Sequence, residues 1–589
     1  MRDRIKDEIK DEIKGSITDH ESARRKIVIV GGVAGGATAA ARIRRLDEQA
    51  EIVVFERSHY ISYANCGLPY YIGDVIQDRE DLTLQTPESF YARFRVDMKV
   101  RHEVTAIHPE KKCVSVTNLE TGQSWEESYD KLLLSPGAKA FRPAWADPDL
   151  EQVFTLRTVE DTCRIKEHVE AHHPAKAVIA GGGFIGLELA ENFRHLGMEV
   201  TIVQRSQQLM APLDPDMAAF LHGEMRKQGV KLVLGQEVQG VSRENKGLKV
   251  LLEQGEHLQA DLVILALGVV PDTGLAKEAG LALGIRDSIL VNHRMETSVP
   301  DIYAVGDAVQ VKHFVSGEDT LLPLAGPANK QGRIAADNIC GGNSSYQGSQ
   351  GSSILKVFTL TAACTGLNEK SAAEAGIAAE KVILSPMSHA GYYPGSKVMT
   401  MKVVFEKESY RLLGAQIVGY DGVDKRIDVM AAAIRAGMNG IDLKELELAY
   451  APPYASAKDP VNMAGYMIDN IASGIVKQWY LEEADSLPRD GSVVLLDTRT
   501  PGEYRKGHIE GFLNIPVDTL REHIHEIPQG RPVYVICQSG LRSYIAARIL
   551  EGYGFEVYNF AGGFRFYDAV TQEKVLIQKA MACGMDQEE

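Results

Sequence analysis

Two glycine-rich hexapeptides constrain this chain more than any other part of it. Gly31-Gly32-Val33-Ala34-Gly35-Gly36 follows the apolar run K-I-V-I-V and leads into an alanine-rich segment. Gly181-Gly182-Gly183-Phe184-Ile185-Gly186 begins 150 residues later, after A-V-I-A, and leads into a second helix-like segment. Both read as strand, tight turn, helix. Glycines in such a turn let the backbone approach a pyrophosphate, whose charge sits at the helix N-terminus. An acid ending the next strand accepts ribose hydroxyls. Glu56 closes V-V-F-E 20 residues after Gly36, and Arg57 follows it; the second copy has Gln204 and Arg205 there. Gln204 can still bond a ribose hydroxyl and Arg205 can accept a 2′-phosphate, so both nicotinamide dinucleotides stay open. Val33 occupies the middle-glycine place of the first copy, which predicts a slightly less close approach. Two dinucleotide sites are expected, one at Gly31, Gly32, Val33, Ala34, Gly36, Glu56 and Arg57, the other at Gly181, Gly183, Gly186 and Gln204.

At roughly 150 residues per domain, 589 residues suggest about four domains. The sequence divides into an N-terminal extension (1–25), a first dinucleotide-binding domain in two parts (26–136 and 255–345) and a second between them (137–254). An α+β block (346–467), a linker (468–488), an α/β block opening on V-V-L-L-D (489–570) and a polar tail (571–589) follow. The extension repeats K-D-E-I and has no apolar core, so it does not read as a signal peptide. With 44% hydrophobic residues the chain has ample material for several cores. Its apolar runs, such as Leu262–Leu267, fall far short of the ~20 residues of a membrane span. A net charge of −16 without a basic tract argues against nucleic acid. Seven cysteines are too few, and odd in number, for a disulfide framework, which predicts a reduced, cytoplasmic chain. No cysteine spacing suits a metal.

The segment T-S-V-P-D-I-Y-A-V-G-D, ending at Gly306 and Asp307, resembles the second flavin motif of pyridine nucleotide-disulfide oxidoreductases. The resemblance covers about Lys26 to Gly465. It implies FAD at the first glycine turn, with Asp307 on the ribityl chain, NAD(P)H at the second, and a dimerisation domain in the α+β block. Cys66 lies in I-S-Y-A-N-C-G-L-P-Y. Two-cysteine members have C-x4-C, and Ile61 holds the partner place here, so Cys66 must cycle through a sulfenic acid, mixed disulfide or persulfide. Pro69 suggests a helix starting near Gly67, which would lower the thiol pKa. The stretch S-Y-A-N-C-G-L-P-Y closely resembles coenzyme A-disulfide reductases. That family implies coenzyme A contacts at Thr38, Arg42, Arg45, Ser62 and Asn65, and less firmly at Asn329 and Arg333. From the partner subunit it implies Tyr392, Tyr450 and Lys458, with Tyr393 and Tyr454 as neighbouring alternatives. Arginines suit the coenzyme A phosphates, and a tyrosine hydroxyl can donate to a departing thiolate.

The last block, with L-L-D-T-R, E-Y-R-K-G-H-I-E-G-F-L-N-I-P and V-Y-V-I-C-Q-S-G-L-R-S, resembles a rhodanese domain almost end to end. Cys537 would carry a persulfide in a loop of amides before a helix, with Arg542 adding charge or bracing the loop. Together these resemblances imply a homodimer with two Rossmann-like domains, an α+β dimerisation domain and a C-terminal α/β rhodanese domain. Such a chain is expected to reduce sulfur–sulfur bonds of coenzyme A persulfide, polysulfide or coenzyme A disulfide at Cys66, using FAD and NAD(P)H. Two other readings remain: an NADH oxidase or peroxidase with a Cys66 sulfenic acid, and a non-enzymatic redox sensor or sulfur-delivery protein.

Overall fold

The structure, a computed structural model, describes residues 24–244 and 247–583, with side chains to residue 579. Residues 1–23 of the expected extension lie outside the described residues. The strand Lys26–Val30 is central in a five-stranded parallel sheet, flanked by Glu51–Glu56 and Asp97–Val100 on one side. Lys131–Leu134 and Ile302–Ala304 lie on the other side. The second sheet repeats this order around Lys176–Ala180, with Glu199–Gln204 and Lys231–Leu234 on one side and Leu262–Leu265 and Val153–Phe154 on the other. These strands are apolar on both faces, as parallel strands covered on both sides must be.

Each central strand ends in the glycine turn. Gly31 and Gly181 have φ of +97° and +111°, and a Cβ there would sit 2.1 and 2.2 Å from the carbonyl oxygens of Ser135 and Ala266. Only glycine meets both demands. Helix α1 (Ala34–Leu46) leaves the first turn. A short helix α2 (Leu68–Ile72) lies in the connection between the strands Glu51–Glu56 and Asp97–Val100, and α3 (Phe184–His195) leaves the second turn. Helix α4 (Pro215–Lys227) covers the second sheet, and α5 (Ala325–Ile339) packs on α1 so tightly that a Cβ at Gly332 would meet the Gly35 carbonyl at 2.4 Å.

The third domain is a five-stranded antiparallel sheet carrying the helices Val423–Arg435 and Pro460–Ala472. Lys402, fully buried in that sheet, closes on Asp214 and Asp216 of the second dinucleotide domain at 2.9 Å each, and on Glu369. The fourth domain is a five-stranded parallel sheet. Its edge strand, Lys477–Trp479, lies inside the span expected to be a linker, and residues 468–472 complete the preceding helix. The reason is Trp479: fully buried, its ring packs 4.4 Å from Phe560. The expected tail is corrected in the same way. Residues 563–583 form one helix, α6 (Gly563–Cys583), anchored by buried Phe566 and Val570.

The fourth domain seats on its own chain. Phe566 meets Phe220 of α4 at 6.2 Å, Ser385 Oγ donates to Gly562 O at 3.3 Å, and Tyr480 Oη donates to Glu380 at 2.6 Å. Among the described residues no helix is long and apolar enough to cross a membrane.

Candidate active sites

Two backbone turns share one device. Gly32 N–H donates to Glu56 Oε2 at 2.9 Å, and Gly182 N–H donates to Gln204 Oε1 at 2.9 Å. The amide therefore reproduces the structural bond of the acid, without its charge. Glu56 Oε1 takes Ser58 N–H, and Gln204 Nε2 donates to Ser206 Oγ at 2.7 Å. A Cβ at Gly183 would meet open space, as a turn that receives a pyrophosphate requires. Ala34 opens α1, and Val33 is its N-cap. Arg57 turns away from the first turn and pairs with Asp272 at 2.7 Å, a carboxylate it shares with Lys139. Arg205 is exposed.

Cys66 lies on a single 3₁₀ turn, Asn65–Gly67, just before α2, and is exposed. The buried Ile61, in the partner-cysteine place, fills the space against Gly32. Ser62, at φ +44°, ties the segment to the first turn through its N–H to Gly32 O at 2.9 Å. The expected lowering of the thiol pKa is reversed. Burial pushes the Cys66 thiol up and the Glu188 carboxylate adds to this, while Arg157 pulls it down. A five-residue helix has little dipole to set against a facing carboxylate.

Glu188, on α3, has no described cation partner; burial pushes it up to about 7 despite a long 3.4 Å bond from Tyr70 Oη. Arg157 donates to Asp307 Oδ2 at 2.5 Å and to Ala138 O at 3.2 Å. Asn65, with its amide turned to suit its surroundings, donates to Arg157 O and accepts from Arg157 Nη1, both at 3.1 Å. Arg157 thus joins the residue beside Cys66 to the aspartate of the second flavin-like motif. Glu188, Arg157 and Tyr70 escaped sequence reasoning. Gly306, at φ +84°, presents Asp307 and donates to Gln331 at 2.7 Å.

The face of α1 that carries Thr38, Arg42 and Arg45 meets α5. Thr38 Oγ1 donates to Asn329 Oδ1 at 2.6 Å, and Arg42 Nε donates to Asp337 at 2.7 Å. Arg45, Asn329 and Arg333 are exposed. Arg44, between the two expected contacts, is buried and spends its guanidinium on four carbonyls. The third domain presents Tyr392 and Tyr450, whose hydroxyls lie 2.8 Å apart and whose residues are 77% and 47% exposed. Tyr393 and Tyr454 are also exposed, as is Lys458 beyond them.

Cys537 is fully buried at the end of its strand, and its Sγ accepts from Gly540 N–H at 3.1 Å and Ser543 Oγ at 3.2 Å. Two donors aimed at one sulfur suit a thiolate or persulfide. Arg542 braces the loop: both its terminal nitrogens donate to Glu503 at 2.7 Å, holding that carboxyl down at about 2. Behind the loop the buried Arg499 pairs with Asp497 and lies over the Phe564 ring at 3.8 Å.

Two dinucleotide turns beside one exposed thiol, with a second thiol in a domain of its own, define a thiol oxidoreductase. The chain belongs to the pyridine nucleotide-disulphide oxidoreductase family, whose model matches residues 25–332. The dimerisation domain of that family matches 352–460, and a rhodanese-like domain matches 480–569. The coenzyme A disulfide reductase of Staphylococcus epidermidis is 38% identical over 442 residues, 75% of this chain and 99% of that protein. The reduced CoADR-RHD of Bacillus anthracis superposes with a TM-score of 0.90 at 48% identity, over 94% of this chain and 99% of that one. An NAD-dependent persulfide reductase from A. fulgidus superposes at 0.86 with 36% identity, over 92% and 100%. The family implies FAD and NAD(P)H, and both glycine turns suit a dinucleotide.

Proposed function

We propose that this protein is a homodimeric reductase of sulfur–sulfur bonds in coenzyme A persulfide, polysulfide or coenzyme A disulfide, with Cys537 carrying sulfane sulfur. The observation that carries this reading is Cys66, the one exposed cysteine among the described residues, with Ile61 in the partner place. A thiol without an internal partner that forms a disulfide or persulfide must form it with an outside sulfur, here the substrate's. The first turn, with Glu56 and Asp307, would hold FAD, and the second, with Gln204, NAD(P)H.

Arg45 and Arg333 offer a cationic face to the coenzyme A phosphates, with Arg42 held beside them by Asp337, and Lys458 of the partner would add to it. Cys66 thiolate attacks one sulfur, forms a new sulfur–sulfur bond and displaces coenzyme A thiolate or hydrosulfide. The hydrogen-bonded hydroxyls of Tyr392 and Tyr450, supplied across the dimer, give that leaving group a proton. When bound, NAD(P)H and FAD supply the two electrons that return the Cys66 adduct to thiolate. Arg157 opposes the charge of Asp307 and Glu188 around the thiol.

The test is anaerobic NADH and NADPH oxidation with coenzyme A persulfide, coenzyme A disulfide and polysulfide, set beside oxygen and peroxide. Turnover with the sulfur substrates supports the reading. Turnover with oxygen or peroxide alone makes the protein an oxidase or peroxidase, and absence of all turnover makes it a sensor or carrier.

A further inference from the structure

The last helix of the rhodanese domain reaches towards the second glycine turn. α6 begins against the Cys537 loop, where Phe564 N–H donates to Cys537 O at 2.7 Å. Further along it, Glu573 leaves its own domain and meets α4. The carboxylate takes Arg226 Nη2 at 2.7 Å and Nε at 3.3 Å, and His222 Nδ1 lies 3.2 Å away. Burial pushes Glu573 up, and His222 and Arg226 more than offset it, so its carboxyl stays below the usual range. His222 is itself 1% exposed.

The other ring nitrogen of His222, Nε2, accepts Leu209 N–H at 3.0 Å. Accepting there requires an unprotonated Nε2, which leaves the proton on Nδ1; the Glu573 carboxylate lies 3.2 Å from that nitrogen, off the hydrogen-bond direction. Leu209 belongs to the loop that follows Gln204. The same loop is pinned to the glycine turn, because Met210 N–H donates to Gly182 O at 2.9 Å. Leu209 packs on Gly182 so closely that a Cβ there would sit 2.3 Å from Leu209 Cδ2. Gly182 N–H in turn holds Gln204, the residue at the ribose-binding place. Glu573, His222, Leu209, Gly182 and Gln204 therefore form an unbroken series of contacts.

We propose that Glu573, through His222, positions the 204–210 loop for the adenosine half of the nicotinamide cofactor, so that the rhodanese helix completes the reductase's cofactor site. This rests on the reading that the second turn holds that cofactor. Both are positioning residues: they set the loop and leave the reacting atoms untouched. The close polar contact between residue 573 and His222 is what matters, so glutamine at 573, with the same shape and a polar end, should preserve the effect and leucine should not.

The experiment uses full-length holoenzyme and steady-state oxidation of NADH, NADPH and reduced nicotinamide mononucleotide, which lacks the adenosine half. Glu573→Leu and His222→Leu are expected to raise KM for the dinucleotide about fivefold or more, with kcat within about twofold. Glu573→Gln should stay near wild type, and so should Arg226→Ala, which weakens docking but leaves the Glu573–His222 contact. KM for the mononucleotide should not move. Unchanged dinucleotide KM in both leucine variants overturns the proposal. So does an equal rise with the mononucleotide, or an equal rise in Arg226→Ala, which would mark simple loss of docking. Wild-type protein that oxidises no nicotinamide cofactor instead sinks the underlying functional reading.

Discussion

Glu188→Gln removes a carboxyl that burial holds near neutrality beside Cys66. The folded group titrates at about 7, against 4.5 for the free carboxyl. At 1.36 kcal/mol per unit, a charged Glu188 costs the fold about 3 kcal/mol. The sign follows from proton binding. Between pH 4.5 and 7 the folded chain holds a proton that the unfolded chain has lost, so stability falls as pH rises through that window. Above it the full cost is present. The variant should match wild type near pH 5 and be more stable near pH 8, by up to about 3 kcal/mol. Burial raises the Cys66 thiol and the Glu188 charge adds to it, so removing that charge should lower the thiol pKa. Iodoacetamide alkylation of Cys66 in reduced holoenzyme, followed by peptide mass from pH 5 to 10, reads this directly. The variant's rate profile is expected at lower pH. A profile that stays in place or moves to higher pH refutes the reasoning, as does an unchanged pH dependence of thermal unfolding.

Cys537→Ser should keep NAD(P)H-dependent reduction of soluble coenzyme A persulfide and lose thiosulfate sulfurtransfer; loss of both activities contradicts separate roles for the two thiols. Changing both Tyr392 and Tyr450 to Phe should lower kcat with coenzyme A disulfide by about 100-fold, because the leaving thiolate loses its donor, with KM moving much less. Lys402→Met leaves Asp214, Asp216 and Glu369 crowded without their cation. It should destabilise the chain by about 3–5 kcal/mol, read as a lower unfolding midpoint at pH 7. Arg45→Ala with Arg333→Ala should raise KM for coenzyme A disulfide and flatten its dependence on salt, while NAD(P)H oxidation with polysulfide should change little.

The parts of the molecule legible in sequence are those where the constraint is local. Gly31 and Gly181 announce themselves because one residue's φ and one neighbouring carbonyl decide the matter. The Cys537 loop is similar, since both donors to the sulfur lie within six residues of it. What was not legible comes from distant segments. Glu188 and Arg157 reach Cys66 from other elements, so a local motif predicted a lowered thiol pKa and missed the burial and the carboxylate that raise it. Arg57 pairs with Asp272, far along the chain, a contact no local motif predicts. The span 468–488 reads as a linker, yet buried Val476, Trp479 and Leu481 anchor an edge strand and its flanks. The final helix looks like a charged tail because much of its length is solvated, and Glu573 is buried only through contact with another domain.

The central claim is that Cys66 is the thiol that attacks substrate. Oxidised holoenzyme treated anaerobically with one equivalent of NADH, then with coenzyme A disulfide, acid-quenched and digested, tests it through the masses of all seven cysteine peptides. The account predicts a coenzyme A mixed disulfide on the Cys66 peptide and none in the Cys66→Ser variant. Coenzyme A on any other cysteine in its place, with Cys66 unmodified and turnover intact, would contradict it.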